Sequence, residues 1–483
     1  MKLMLRNQPA EEVCFGLVYP STGPRRRSLL LRKLIEPMPG ERMVHGNASF
    51  SAPFTNRAID RAIDEGAGLA LIHSHPMGTG AQWPSGPDRV AEARTLETAF
   101  HALRGMPVAG MIVAGDGTVS GREYVFPRPG SLPEVYDLSG AHVVGQHLRQ
   151  QGVIDGGVTM ADVHASHVGL WGRAGQATLH RLRVGVVGAG SIGMCIIEQL
   201  ARIGIGELVI IDYDRIEFRN LNRQYGYFRP DAERRERKAR AAERHAHRAA
   251  TAPQFRCKGH VASVLEPEGL RLLLDCDVVF SCADSHWSRQ VLNTLAYAHL
   301  IPVVDAGSKI AATADGTFQT ASCRVQVVSP TRGCLECSKA FLPENVAEEM
   351  SNVQAPHYAG EAGKVVGEPS VIPLNTVASG FAMLQFMELS LGILGQLQPQ
   401  QRYDFRGGDV ALKLLRCRDG CAVVAEEARG DLVRLPVGVD PRFTDRPEAE
   451  EMRPGPRWSL RSAVASVLKS VTSLWRPPST AQP

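Results

Sequence analysis

The chain has 483 residues, a formal net charge of +4 and a hydrophobic fraction of 44%. That length can hold two or three domains with ample core, and so balanced a charge gives no basis for nucleic-acid binding. Ten cysteines in so long a chain point to reduced thiols or metal ligands, not to a disulfide framework. The opening MKLMLRNQPAEE lacks the apolar run of a secretory signal. No apolar run is long enough to span a bilayer, so a cytoplasmic setting is expected.

Residues 1–130 read as an α/β domain. Residues 11–19 form a strand and 28–35 its neighbour. A helix over 56–65 precedes an apolar strand over 67–75, which ends in His73-Ser74-His75-Pro76. A helix over 87–103 and a strand over 107–113 follow. Alternate residues on a strand face one way, so His73 and His75 can present two imidazoles to one ion. Asp88, in Ser85-Gly86-Pro87-Asp88, lies in the first turn of the next helix and can add an oxygen. Two histidines and a carboxylate leave one zinc position for water, the arrangement of a catalytic site. A nearby carboxylate would serve as base. Ser85-x-x-Asp88 also suits a helix cap, and the two roles are compatible.

An early Glu, then HxH, then SxxD resembles the JAB/JAMM metalloprotease family. The resemblance implies a cytidine-deaminase-like α/β domain. It makes Glu12 the base, gives zinc to His73, His75 and Asp88, and has Ser85 steady the tetrahedral oxyanion. Nine residues separate His75 from Ser85, where the family commonly has seven. Glu12-Val13-Cys14-Phe15 best matches the family's E-x-C-G, with Phe15 in place of Gly. Glu11 therefore stays open as the base.

Pro127, Pro129, Gly130 and Pro133 mark a boundary, and 131–175 reads as a linker with a helix over 139–151. A strand over 184–187 then runs into Gly188-Ala189-Gly190-Ser191-Ile192-Gly193 and an apolar helix to about residue 203. A strand over 208–211 ends at Asp212. Glycines here let backbone N–H groups approach phosphate at a helix N-terminus, and the acid suits a ribose hydroxyl. Alone, this pattern is that of a dinucleotide dehydrogenase. It continues, however, through Asp212-Tyr213-Asp214 into Asn220-Leu221-Asn222-Arg223-Gln224. Lys238 then sits in a basic helix, Asp284 ends an apolar strand over 278–283, and 301–305 forms a further strand. An apolar helix covers 373–394.

This order resembles the DxD…NLxRQ signature of the ThiF family, ATP-dependent adenylating enzymes related to ubiquitin-activating enzyme. The resemblance implies a Rossmann-like domain over 176–425. ATP would lie against Gly188, Gly190, Gly193, Asp212, Asp214, Asn220, Arg223 and Lys238, with Asp284 holding magnesium near the alpha-phosphate. A carboxyl group attacking that phosphorus needs positive charge around it. The plainer reading is a bare Rossmann domain with a solvated basic helix. The family's RxxRQ-type segment, whose Arg reaches a partner subunit's ATP, is not found. Arg173 and His167 are the candidates to stand in, and a homodimer through this domain is expected.

Cys334-x-x-Cys337 and Cys417-x-x-x-Cys421 suit a closed structural zinc, against free thiols. Residues 338–416, where ubiquitin-activating enzymes usually carry the acyl-accepting cysteine, contain none. Cys14, Cys195, Cys276 and Cys282 fall in predicted strands or helices and are expected to be buried, which leaves Cys257 and Cys323. The acyl group is therefore expected to stop at the adenylate and pass to a thiol on another protein, a conjugating enzyme or sulfur donor. Residues 426–483 form a Pro- and charge-rich tail with an amphipathic helix over 457–476, suited to an anionic membrane or a protein surface.

Together the resemblances imply a bifunctional enzyme of a bacterial ubiquitin-like modifier system. Its partner would be a β-grasp protein ending in Gly-Gly, processed at one site and adenylated at the other. The alternatives are sulfur-carrier activation and a non-catalytic scaffold.

Overall fold

Apolar sequence covered on both faces starts the first sheet. Val13–Thr22 (β1) pairs antiparallel with Arg27–Ile35 (β2) on one side. Arg42–His45 (β3) and Asn47–Phe50 (β4) form a separate hairpin. Ala52–Glu65 (α1) leads into Gly68–His75 (β5), the other neighbour of β1. Gly86–Ala102 (α2), Val108–Ala114 (β6), Val119–Val125 (β7) and Glu134–Asp137 (β8) complete a sheet ordered β2-β1-β5-β6-β7-β8. Phe15, Leu17, Tyr19, Leu69 and Leu71 bury one face against Phe54 and Ala58 of α1 and Leu96 and Ala99 of α2.

The computed structural model describes residues 3–5, 9–45, 47–151, 162–312, 317–351, 369–393 and 395–446. Three expectations about the middle of the chain are corrected. The first sheet extends to Asp137, past the boundary placed at 130. The helix expected over 139–151 is a hairpin, Ala141–Val144 (β9) against Leu148–Gln151 (β10). Gly140 and Gly145 weaken a helix here, and the β-branched pair Val143-Val144 favours a strand. Nor is the segment a bare linker, for Ala165–Arg181 (α3), kinked at Gly172, buries Leu179 in the second core.

That second core surrounds an eight-stranded sheet. Its elements are Arg183–Val187 (β11), Ser191–Arg202 (α4), Glu207–Ile211 (β12), Arg229–Glu233 (α5), Lys238–Ala249 (α6), Arg256–His260 (β13), Pro267–Leu273 (α7), Val278–Ser281 (β14), His286–Ala298 (α8), Val303–Ala312 (β15), Phe318–Val328 (β16), Pro343–Met350 (α9), Ile372–Leu391 (α10), Gln400–Asp404 (β17) and Asp409–Lys413 (β18). The order is β13-β12-β11-β14-β15-β16-β17-β18. The first five strands are parallel and the rest antiparallel. Strand order reverses between β11 and β14, so a ligand crevice is expected outside their carboxyl ends.

The halves are tied by buried polar contacts. The Asp275 carboxylate accepts the backbone N–H groups of Arg25 and Arg26, and Arg26 pairs with Asp277 at 2.6 Å. Ser21 and His299 hydrogen bond at 2.9 Å. Residues beyond the expected boundary at 425 also fold onto this body: a 3-10 turn at Gly430–Leu432 lies so close to β1 that a Cβ on Gly430 would come within 2.0 Å of the Pro20 carbonyl. The amphipathic helix expected over 457–476 lies outside the described residues. Among those residues, no helix is long and apolar enough to cross a membrane.

Candidate active sites

The strand-end histidines and the helix-start aspartate meet. His73 and His75 occupy the end of β5, and Asp88 the first turn of α2. Their ligand atoms all lie within 4.8 Å of one another. Asp88 Oδ2 stands 3.7 Å from His73 Nε2 and 3.8 Å from His75 Nε2. Zinc bonds of 2.0–2.1 Å in a tetrahedron put ligand atoms about 3.4 Å apart, so small adjustments would seat an ion. His73 Nε2 is buried without a hydrogen-bond partner among the described residues, as a ligand nitrogen awaiting an ion would be. Burial lowers the His73 pKa against the opposing pull of Asp88 and Glu92, which favours the neutral imidazole that binds metal.

Ser85 is the N-cap of α2. Its Oγ accepts the Asp88 N–H at 3.3 Å, and Asp88 Oδ2 accepts the Ser85 N–H at 2.8 Å. The cap therefore aims the carboxylate at the histidines. Burial pushes Asp88 up, but Ser85 and the two histidines outweigh it and hold its pKa below the ordinary value. Glu12 flanks the cluster through Ser74: its N–H donates to Ser74 Oγ at 2.8 Å, and its carbonyl accepts from Ser74 N–H at 3.0 Å. Its buried carboxylate pairs with Arg42 at 3.2 Å.

Sequence reasoning missed Glu92. It lies one helical turn beyond Asp88, 3.8 Å from His73 Nδ1, too far for a hydrogen bond but close enough for its charge to act on the imidazole. Arg122 Nε at 2.8 Å and the Tyr124 hydroxyl at 2.6 Å hold it in place. The Asp88-x-x-x-Glu92 spacing was the available signal.

The second site forms at the strand-order reversal. Gly188 has φ +92°, and a Cβ on Gly193 would sit 1.9 Å from the Gly188 carbonyl, so both glycines are required by the turn. Gly190 has open space within 4 Å of its Cβ position, at the N-cap of α4, where phosphate can approach. Buried Asp212 steadies the loop through Oδ2, which accepts the Ala189 N–H at 2.7 Å. The Tyr227 hydroxyl, not foreseen from the sequence, donates to the Ala189 carbonyl at 2.8 Å. Lys238, first residue of α6, is buried and pairs with Asp214 at 2.7 Å. Burial would lower its pKa, but Asp212, Asp214 and Asp284 prevail and raise it, so it stays charged.

Other signature residues take local roles. Strand β14 stops at Ser281, so exposed Asp284 lies in the turn before α8 and faces Arg442 at 3.6 Å. Buried Asn220 accepts the Glu217 N–H at 2.9 Å as a cap. Arg223 donates to the Arg219 carbonyl and to Asn222. Arg173 is exposed beside the kink of α3, and His167 stacks on Trp171 at 5.0 Å.

The four paired cysteines also converge. Cys421 Sγ lies 3.8 Å from Cys334 Sγ and 3.7 Å from Cys337 Sγ, and Cys417 completes the group. Tetrahedral zinc with bonds near 2.3 Å separates sulfurs by about 3.8 Å, so the group fits that ion. Hydrogen bonding between Cys334 and Cys417 lowers the Cys417 pKa and raises that of Cys334. Cys276 and Cys282 lie outside strands and helices, a correction to their expected placement, because the chain turns there on either side of β14. Cys276 is buried and Cys282 half-buried. Cys323 is buried, which pushes its thiol up to about 11; Cys257 is half-buried in β13 and likewise pushed up by burial.

The ThiF family model matches residues 164–418, more than half of the chain. The chain belongs to the ThiF family. This ThiF-family chain is 32% identical over 131 residues to the sulfur carrier protein ThiS adenylyltransferase of Bacillus subtilis (strain 168), covering 27% of this chain and 38% of that protein. It is 27% identical over 258 residues to the adenylyltransferase and sulfurtransferase MOCS3 of Caenorhabditis briggsae, covering 53% and 58%. It is 26% identical over 179 residues to the ubiquitin-like modifier-activating enzyme 5 of Drosophila willistoni, covering 34% and 41%. The chain thus spans from 38% to 58% of the length of these relatives. Among solved structures, E. coli MccB with ATP aligns at a TM-score of 0.43 and 18% identity, over 55% of this chain and 75% of that one.

Proposed function

We propose that the ThiF half adenylates the C-terminal glycine of a ubiquitin-like β-grasp protein ending in Gly-Gly. The observation that carries this reading is the convergence of the Gly188–Gly193 turn, Asp212, Lys238 and Asp284 at the strand-order reversal. The Gly190 end of α4 receives phosphate, Asp212 the ribose, and Lys238 offsets phosphate charge. The substrate carboxylate attacks the alpha-phosphorus, the bond to pyrophosphate breaks, and an acyl-adenylate remains. Asp284 is the residue to hold magnesium, which would screen the phosphates. Arg223 and Asn220 belong to the same reading, as does pairing of two copies through this half.

The N-terminal half is proposed as a JAB/JAMM zinc metallopeptidase that cleaves after the same terminus. Its support is the His73, His75 and Asp88 cluster, with ligand atoms within 4.8 Å. Bound zinc would act as a Lewis acid and make its water acidic. Glu12 takes the proton of the attacking water and returns it to the leaving amine, and Ser85 steadies the oxyanion. The four cysteines would hold a second, structural zinc. The acyl group passes from the adenylate to a thiol on a separate conjugating enzyme or sulfur donor, and AMP leaves as its bond to the acyl carbon breaks. Sulfur-carrier activation is the second reading, favoured by the sulfur-carrier adenylyltransferase among the relatives. The test pairs two assays on one preparation. ATP–pyrophosphate exchange should require a Gly-Gly β-grasp protein and vanish in Asp284→Ala while cleavage persists. Glu12→Ala should lose cleavage, keep zinc and still exchange. Exchange without any protein substrate would sink the adenylation reading, and cleavage by zinc-free His75→Ala would sink the peptidase one.

A further inference from the structure

The mouth of the nucleotide site carries a cation that no motif marks. Residues 433–443 touch the loops that follow β12, β13 and β14. The Pro436 carbonyl accepts Trp287 Nε1–H at 2.6 Å, and the Gly438 N–H donates to the Leu265 carbonyl at 2.8 Å. Buried Asp440 accepts from Ser263 Oγ at 2.6 Å, and its N–H donates to Glu266 at 3.1 Å. Asp440 Oδ1 then accepts the Arg442 N–H at 3.0 Å. Phe443 stacks on Tyr213, the residue after Asp212, with centroids 4.9 Å apart. Arg442 is therefore held between two anchors and aimed at Asp284.

Its guanidinium is held close but is not committed. Nη1 lies 3.6 Å from Asp284 Oδ1, and Nε lies 3.7 Å from Asp440 Oδ1. Both distances exceed an ordinary hydrogen bond. A guanidinium has a fork of donors matched to phosphate oxygens. The mouth also has negative charge to spare: Asp212, Asp214 and Asp284 all act on Lys238, and Asp284 acts on Arg442 as well. A triphosphate arriving among these carboxylates needs a further cation near it.

We propose that Arg442 is a nucleotide-binding residue that reaches a phosphate of ATP seated at the Gly188–Gly193 turn. Binding exchanges its Asp284 partner for a phosphate oxygen and frees that carboxylate for a divalent cation. This rests on the adenylation reading.

The test is calorimetric titration of the full chain with ATP and magnesium, and separately with adenosine. Loss of one charge-assisted hydrogen bond should weaken ATP binding in Arg442→Gln by about 10- to 100-fold. Adenosine binding should not change, and Arg442→Lys should recover part of the loss. Phe443→Ala, which keeps the cation and loosens its anchor, should give a smaller loss confined to ATP. Equal ATP affinity in Arg442→Gln and wild type would overturn the inference. Tighter ATP binding in the variant would overturn it in favour of an inhibitory contact, and parallel loss of ATP and adenosine in favour of a structural one. Wild-type protein that binds no ATP would overturn the adenylation reading itself, and the inference with it.

Discussion

Asp212→Asn should make the protein relatively more stable as pH rises while weakening its hold on ATP. Asp212 is buried, with Oδ2 accepting from Ala189 N–H at 2.7 Å and Oδ1 from Asp214 N–H at 2.8 Å. Burial drives its pKa up, Lys238 pulls it down and Asp214 adds to the rise, which takes it from 3.8 to about 6. A folded-state pKa above the unfolded one means that protonation favours the fold. That contribution is complete below the unfolded value and is lost as pH climbs through about 6. A tenfold change in proton affinity is about 1.4 kcal/mol, so ionising Asp212 in the fold costs roughly 3 kcal/mol. Asparagine escapes that loss. It keeps one acceptor oxygen but turns an amide toward the other N–H, which costs about 1–3 kcal/mol at every pH.

The variant should therefore be the less stable form near pH ~4 and gain most of about 3 kcal/mol on wild type by pH ~8. Urea denaturation across that range measures the difference, and nucleotide titration measures the loss of binding. A stability difference that stays flat with pH would refute the burial argument. Wild-type affinity for ATP would refute the ribose role.

The two kinds of glycine in the phosphate turn should separate. Gly193→Val should destabilise the fold by about 1–3 kcal/mol, because its Cβ meets the Gly188 carbonyl at 1.9 Å. Gly190→Ala has open space and should melt as wild type does but bind ATP weakly, as thermal unfolding and titration will show. Glu92→Ala strands buried Arg122 and should cost about 3–5 kcal/mol in urea denaturation. Metal analysis should find zinc in both clusters, with Cys421→Ser emptying one and His75→Ala the other while each leaves its counterpart filled. Enzyme, ATP and a Gly-Gly protein without other partners should give no thiol-sensitive adduct on a non-reducing gel, since burial raises the thiols of Cys257 and Cys323.

Much of this was legible because the chemistry sits at strand ends. A continuous apolar run revealed β5, and the two-residue period of a strand placed His73 and His75 on one face. Apolar runs interrupted by glycine revealed β11, α4 and β12, and so brought Gly188 and Asp212 together. The 139–151 segment was misread because its apolar residues also fit a helical spacing, and only two glycines and a valine pair argued otherwise. Glu92 went unseen because its role depends on Arg122 and Tyr124, which reach it from β7. Arg442 was hidden more deeply: its place follows from anchors on Trp287, Leu265 and Ser263, and no local pattern encodes contacts so distant in the chain. Arg223 shows the converse, a residue conspicuous in the signature whose side chain turns back onto its own loop.

The most direct test of the account follows the alpha-phosphate. The full chain is incubated with ATP labelled in that phosphate, magnesium and a β-grasp protein ending in Gly-Gly. Label should join the β-grasp protein through a hydroxylamine-sensitive bond with release of pyrophosphate, and Lys238→Ala should do neither. Transfer of the gamma-phosphate instead, or no label transfer by wild-type protein with ATP shown to be bound, would contradict it.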